Sequence, residues 1–75
     1  MTRLRMLKPN EFLRALQKAG FEEVHRKGSH VVLVNVLRKK RISVPFHGGK
    51  DITRPLLKEI LREADLTEQQ LAELL

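Results

Sequence analysis

The sequence predicts a single small α+β domain in the order α-β-β-β-α, with a three-stranded antiparallel sheet and a short C-terminal helix. Three observations carry this. Apolar residues recur at helical spacing near both ends of the chain, at Phe12, Leu13, Leu16 and Ala19 and again at Leu56, Leu57, Ile60, Leu61 and Ala64. Between them lies a run rich in β-branched residues, His30-Val31-Val32-Leu33-Val34-Asn35-Val36-Leu37. Ahead of that run, Gly28-Ser29 is a two-residue link with glycine first, which suits a type II′ hairpin turn. A meander with both main helices on one face is the simplest arrangement that buries all three apolar surfaces.

The elements follow in order. Residues 1–7 form a basic N-terminal arm, and residues 9–19 the first helix. Either Pro9 takes the first helical position or Asn10 caps the start. Gly20 ends the helix in a left-handed conformation, and Phe21 folds back on Leu16. Residues 22–27 and 30–37 are the first two strands, in a register that pairs Lys27 with His30, His25 with Val32 and Val24 with Leu33. Arg38 to Lys40 turn the chain into a third strand, Arg41 to Phe46, with Ile42, Val44 and Phe46 on one side. Pro45 cannot donate to a ladder, so this strand lies at an edge or ends there. After the loop His47-Gly48-Gly49-Lys50, a second helix starts near Thr53 to Pro55. Thr67 with Gln70 three residues on is a capping box for the last helix, whose apolar face is Leu71, Leu74 and Leu75.

Length and composition narrow the function. Seventy-five residues make one domain, 1–75, and exclude a two-domain enzyme. The chain has no cysteine, so disulfides and thiolate metal sites are out. No apolar run approaches the roughly 20 residues that span a bilayer, and the N-terminus has no apolar signal region; the expected location is cytoplasmic. The net charge is +6, but its distribution says more than its total. From Val24 to Lys50 there are seven basic residues (Arg26, Lys27, Arg38, Lys39, Lys40, Arg41 and Lys50) and no acidic one, whereas Asp51 to Leu75 is net −3. Such a block favours a polyanionic partner, nucleic acid before membrane. A basic surface kept for solubility has the same composition.

His30 is the most pointed candidate for chemistry. It stands at the first residue of a strand, beside a tight turn and inside the cationic block. An imidazole donates and accepts protons near neutral pH. Beside cations that hold a phosphate, it has what attack of a 2′-OH on the adjacent phosphate requires. His47, after Val44-Pro45-Phe46, is a second proton carrier, a phosphate ligand or a solvated loop residue. Ser29 can bond a phosphate but equally serves the turn. His25 shares the face of His30 and reads as a surface residue. Arg26, Lys27, Lys50 and the turn cations Arg38, Lys39, Lys40 and Arg41 are the RNA-backbone candidates. Metal chemistry is not expected, because no carboxylate stands near His30 in sequence and no His-x-x-x-His pair occurs. Tyrosine and tryptophan are absent and the three phenylalanines read as core, so recognition rests on backbone charge and shape. Finally, Val32, Val34 and Val36 face outward with His30 if Val31, Leu33 and Leu37 face the helices. Such a stripe fits a protein partner or a second copy of the chain.

Four segments in this order, Ala19-Gly20-Phe21-Glu22, Gly28-Ser29-His30-Val31, Val44-Pro45-Phe46-His47 and Leu57-Lys58-Glu59-Ile60-Leu61-Arg62-Glu63-Ala64, resemble the HicA-type toxins over about residues 7–75. The resemblance implies a double-stranded-RNA-binding-like fold and the activity of an mRNA interferase, an endoribonuclease of a type II toxin–antitoxin system; from the residues themselves no cofactor is expected. It also implies a HicB-type antitoxin as partner. It puts the catalytic histidine of Gly-Ser-His on His30 and the histidine of Pro-x-His on His47. The rival reading is a module of the same fold that grips RNA and cuts nothing. Two positions depart from the family pattern: Arg54-Pro55 stands where Gly-Thr is common, and Ala64-Asp65-Leu66 where Ala-Gly-Leu is frequent. Both lie at helix ends and put local geometry, not chemistry, in question.

Overall fold

Pro9, not Asn10, sets the start of the first helix. In the computed structural model, which describes residues 6–46 and 50–75, Pro9 is the first helical residue and Lys8 the extended N-cap. The Lys8 backbone N–H donates to the Glu11 carboxylate at 3.3 Å. The elements are α1 (Pro9–Lys18), β1 (Glu22–Lys27), β2 (His30–Asn35), β3 (Lys40–Pro45), α2 (Arg54–Ala64) and α3 (Glu68–Leu74). The sheet is an antiparallel meander, β1-β2-β3. Val31 and Leu33 from β2, Ile42 and Val44 from β3, Phe12 and Leu16 from α1 and Leu57, Ile60 and Leu61 from α2 belong to one buried core. Alternation along a strand puts those four strand residues on one face, so both main helices cover the same side of the sheet. No helix among the described residues is long and apolar enough to cross a membrane.

The end of α1 is as expected. Gly20 has φ 103°, its N–H donates to Gln17 O at 3.0 Å, and the Phe21 N–H donates to Leu16 O at 3.0 Å. These are the paired bonds of a Schellman motif, which deliver Phe21 into the core next to Leu16. The Gly28-Ser29 turn is also as expected, with positive φ (58°) at the glycine alone.

Two details of the sheet correct the sequence reading. First, the register holds for Lys27↔His30 and His25↔Val32, but Leu33 then meets Glu23 rather than Val24. Val24 is the extra residue of a β-bulge. The cause is parity. With Glu22 opposite Val34, Phe21 falls on the covered side of the sheet, where it is 1% exposed. An unbroken ladder would have turned it to the open side.

Second, β2 ends at Asn35, not at residue 37. Val36 to Lys39 form the turn, so Val36 leaves the sheet and Leu37, expected to face the helices, is 96% exposed. Asn35 is the physical reason. Its side chain is buried, its Oδ1 accepts from the Arg38 N–H at 3.1 Å, and its Nδ2 donates to Ala19 O at 3.3 Å. An asparagine that bonds the backbone three residues on starts a turn rather than prolonging a strand. Lys39 completes the turn at φ 57°, donating to Val36 O at 3.3 Å. The third strand accordingly runs over 40–45 rather than 41–46.

The remaining elements close the domain. Leu7 and Ile52 form an isolated antiparallel bridge, with N–H to O distances of 3.4 and 2.7 Å, and both are buried. Leu7 therefore belongs to the core; residues 1–5 of the expected arm lie outside the described residues. Thr67 and Gln70 form the expected capping box, at 3.0 and 2.8 Å. At the end of α2, Asp65 adopts the left-handed conformation (φ 59°), with Asp65 N–H to Arg62 O and Leu66 N–H to Leu61 O closing another Schellman pair. This is the position where the chain departs from Ala-Gly-Leu.

Three predictions follow from these backbone positions. Asp65→Gly relieves the left-handed strain of a residue bearing a Cβ, so stability should rise by about 0.5–1 kcal/mol, a few degrees in thermal midpoint for a domain this size. An unchanged or lower midpoint would contradict the strain. Asn35→Ala should cost about 1–3 kcal/mol in urea unfolding, the usual penalty for unpairing buried polar groups. A Cβ added at Gly20 would meet Asn35 Nδ2 at 3.0 Å. Gly20→Ala should therefore cost less in the Asn35→Ala background than in the wild type, a coupling that a double-mutant cycle reads directly.

Candidate nucleic-acid interface

Because β2 buries Val31, Leu33 and Asn35, its alternate residues His30, Val32 and Val34 point away from the helices. Cross-strand partners share a face, so the register assembles the rest of that surface. β1 contributes Lys27 opposite His30, His25 opposite Val32 and Glu22 opposite Val34. β3 contributes Pro45, Ser43 and Arg41 opposite the same three residues. The result is an open surface with two valines at its centre, both half-buried, ringed by two imidazoles, two cations, one hydroxyl and one carboxylate. It is a face rather than a pocket. The groove lined by Lys58, Leu61, Arg62, Asp65, Leu66 and Thr67 includes none of these residues. An extended polymer fits an open face better than a small molecule does.

His30 is exposed at the first position of β2. The Gly28-Ser29 turn places it there, and the Phe46 N–H ties that turn to the end of β3 by donating to Ser29 O. Antiparallel partners lie about 4.5–5.5 Å apart at Cα, so Lys27 stands directly beside His30. Ser29 is partly buried within the turn. Among the described residues no three of the histidines, aspartates and glutamates cluster as a metal site would require.

The cationic block divides. Arg26 pairs with Val31 and therefore projects to the helix side. There its guanidinium binds Glu23 Oε1 at 2.8 and 3.1 Å and lies 5.1 Å from the centre of the Phe46 ring. It braces the end of β3 rather than joining His30. Arg38, Lys39 and Lys40 sit at the opposite end of β2, about 17 Å from His30 at roughly 3.3 Å per residue, and Arg38 donates to Asp65 O at 3.3 Å. Of the expected backbone cations, the register brings Lys27 and Arg41 to the face of His30. Lys50 is exposed, while His47 lies outside the described residues. Val32 and Val34 belong to the face, and Val36 is in the β2–β3 turn. Sequence reasoning missed Ser43, which only the β2–β3 register reveals, and Asn35, whose polar type hid its place in the core.

Comparison with known proteins places this geometry. None of the curated proteins compared with the chain matches it. A family model does: the HicA toxin of bacterial toxin–antitoxin systems matches residues 9–66, from the first residue of α1 to the turn after α2. That span takes in the whole sheet and the Gly-Ser-His turn, and it covers well over half of the 75 residues. The chain belongs to the HicA toxin family of bacterial toxin–antitoxin systems.

Proposed function

We propose that the chain is an endoribonuclease toxin that cuts mRNA in the cytoplasm, on the uncovered face of its sheet. The observation that carries this reading is the position of His30, exposed on an open face with Lys27 as its direct cross-strand neighbour. Lys27 holds a phosphate of the RNA backbone by charge, and Arg41 holds the strand further along. His30 moves the proton. In the reaction the 2′-oxygen of the ribose attacks the adjacent phosphorus and loses its proton to a base. The bond from phosphorus to the 5′-oxygen breaks, and that oxygen takes a proton from an acid. The products are a 2′,3′-cyclic phosphate and a 5′-hydroxyl. His30 serves as one of the two proton carriers, a role worth about 10²–10⁴-fold in rate.

The antitoxin, of the HicB type, covers the same face. Val32 and Val34 give it apolar contact beside the reactive residue, and an acidic patch on its surface complements Lys27 and Arg41. Blocking RNA and burying the valines are then one event.

Two measurements test the reading. His30→Ala removes an exposed side chain and leaves no core cavity, so stability should stay within about 0.5 kcal/mol. RNA binding should persist, since backbone charge dominates affinity, while cleavage falls by about 10²-fold or more. A folded His30→Ala protein that cuts at the wild-type rate would exclude His30. Separately, cleavage should survive a chelator and fail on RNA carrying a 2′-deoxyribose at the scissile position. Loss of activity in chelator, restored by magnesium, would replace the 2′-OH route with a metal-dependent one.

A further inference from the structure

We infer that His25 is the second proton carrier of the cleavage reaction, paired with His30 across the β1–β2 hairpin. The inference rests on the endoribonuclease reading and adds a residue to it. Transphosphorylation needs two proton transfers, one at the attacking 2′-oxygen and one at the departing 5′-oxygen, on opposite sides of the phosphorus. A single imidazole beside one of them leaves the other without a partner.

The register supplies it. Lys27 is directly opposite His30, and His25 is two residues back along β1, opposite Val32. His25 and His30 are thus diagonal neighbours on one face. Diagonal cross-strand positions lie about 7–8 Å apart, which leaves room for a phosphodiester between two imidazoles. Both side chains are exposed, and the two main helices lie on the other side of the sheet. Lys27 holds the phosphate between them. The bulge at Val24 begins just beyond His25. It leaves the His25↔Val32 and Lys27↔His30 pairs in register, so the diagonal is undisturbed.

The other groups on this face do not compete for the role. Lys27 and Arg41 are cations that hold charge, Ser43 is a hydroxyl with no titration near neutral pH, and Glu22 is opposite Val34, a further step along the strand. His25 is also a better-placed carrier than Arg26, which faces the helix side and is bound to Glu23. One imidazole acts as base at the 2′-oxygen while the other, protonated, acts as acid at the 5′-oxygen. At the end of the reaction the base carries the proton taken from the 2′-hydroxyl, and the proton given up by the acid is on the 5′-oxygen.

The test uses an RNA that the wild-type protein cuts, and the same RNA with sulfur in place of the scissile 5′-oxygen. A thiolate leaves without being protonated, so the sulfur substrate no longer needs the acid. On ordinary RNA, His25→Ala should slow cleavage about 10²-fold and abolish one limb of a bell-shaped pH–rate profile. On the sulfur substrate, one of His25→Ala and His30→Ala should recover to within a few-fold of wild type while the other stays slow. That split identifies acid and base, and a structural role for His25 would not produce it. His25→Gln, which keeps side-chain volume and polarity, should behave as His25→Ala and covers the case in which the alanine variant fails to fold. Wild-type rate and an unchanged pH profile in the His25 variants would overturn the pairing. So would recovery on the sulfur substrate by His47→Ala in place of either. If the wild-type protein cuts no RNA at all, the endoribonuclease reading itself has failed, an outcome distinct from both.

Discussion

The Asn35 amide is the contact on which the rest of the arrangement turns. It is buried on the central strand and bonded at both ends, to Ala19 O at the close of α1 and to the Arg38 N–H in the β2–β3 turn. One side chain therefore fixes where a helix stops and where a strand stops. A Cβ at Gly20 would crowd the amide, meeting Nδ2 at 3.0 Å, and Gly20 is also the residue whose left-handed conformation sends Phe21 into the core. The requirement for close approach and the requirement for positive φ fall on the same residue. In an interior otherwise built of aliphatic and phenylalanine side chains, this is where directional bonding rather than packing volume specifies the structure.

From that constraint follows the separation of the two sheet faces. Phe21 and Asn35 both lie on the helix side, and the bulge at Val24 absorbs the odd residue needed to keep them there. Downstream of the bulge the alternation is clean, so His25 and Lys27 point outward together with Val32 and His30 opposite them, and upstream of it Glu22 is brought to the same face opposite Val34. Core packing and surface chemistry are therefore coupled through parity. A one-residue slip in β1 would empty part of the core and scatter the histidines and lysine of the open face at the same time.

Much of this was legible in the residues, and what was not has definite causes. The two amphipathic helices, the Schellman end at Gly20, the Gly28-Ser29 turn and the Thr67–Gln70 capping box are local signals, decided within a few residues, and each is found where expected. The end of β2 was not legible. The valine-rich run continues through Val36 and Leu37, and β propensity cannot report that the Asn35 amide donates to a carbonyl 16 residues upstream at Ala19. The place of Arg26 was hidden for a similar reason, since charge clustering in sequence says nothing of sheet face. Arg26 and Lys27 are adjacent in the chain and on opposite faces of the sheet. Asp65 was visible only as a departure from a pattern; the structure supplies its meaning, a left-handed residue without a glycine.

The bulge has one more consequence, for the chain at high concentration. A three-stranded meander has two open edges, and an edge strand with regular unpaired N–H and C=O groups is a template for further chains. β1 is exposed along its whole length, yet the bulge breaks its repeat and twists it, and Glu22, Glu23, Arg26 and Lys27 load it with charge of both signs. β3 ends at a proline that cannot donate. Both margins are thus poor partners for stacking into larger assemblies. A small domain with a marginal core can keep a sticky, valine-centred face open to solvent because its edges give aggregation no place to begin.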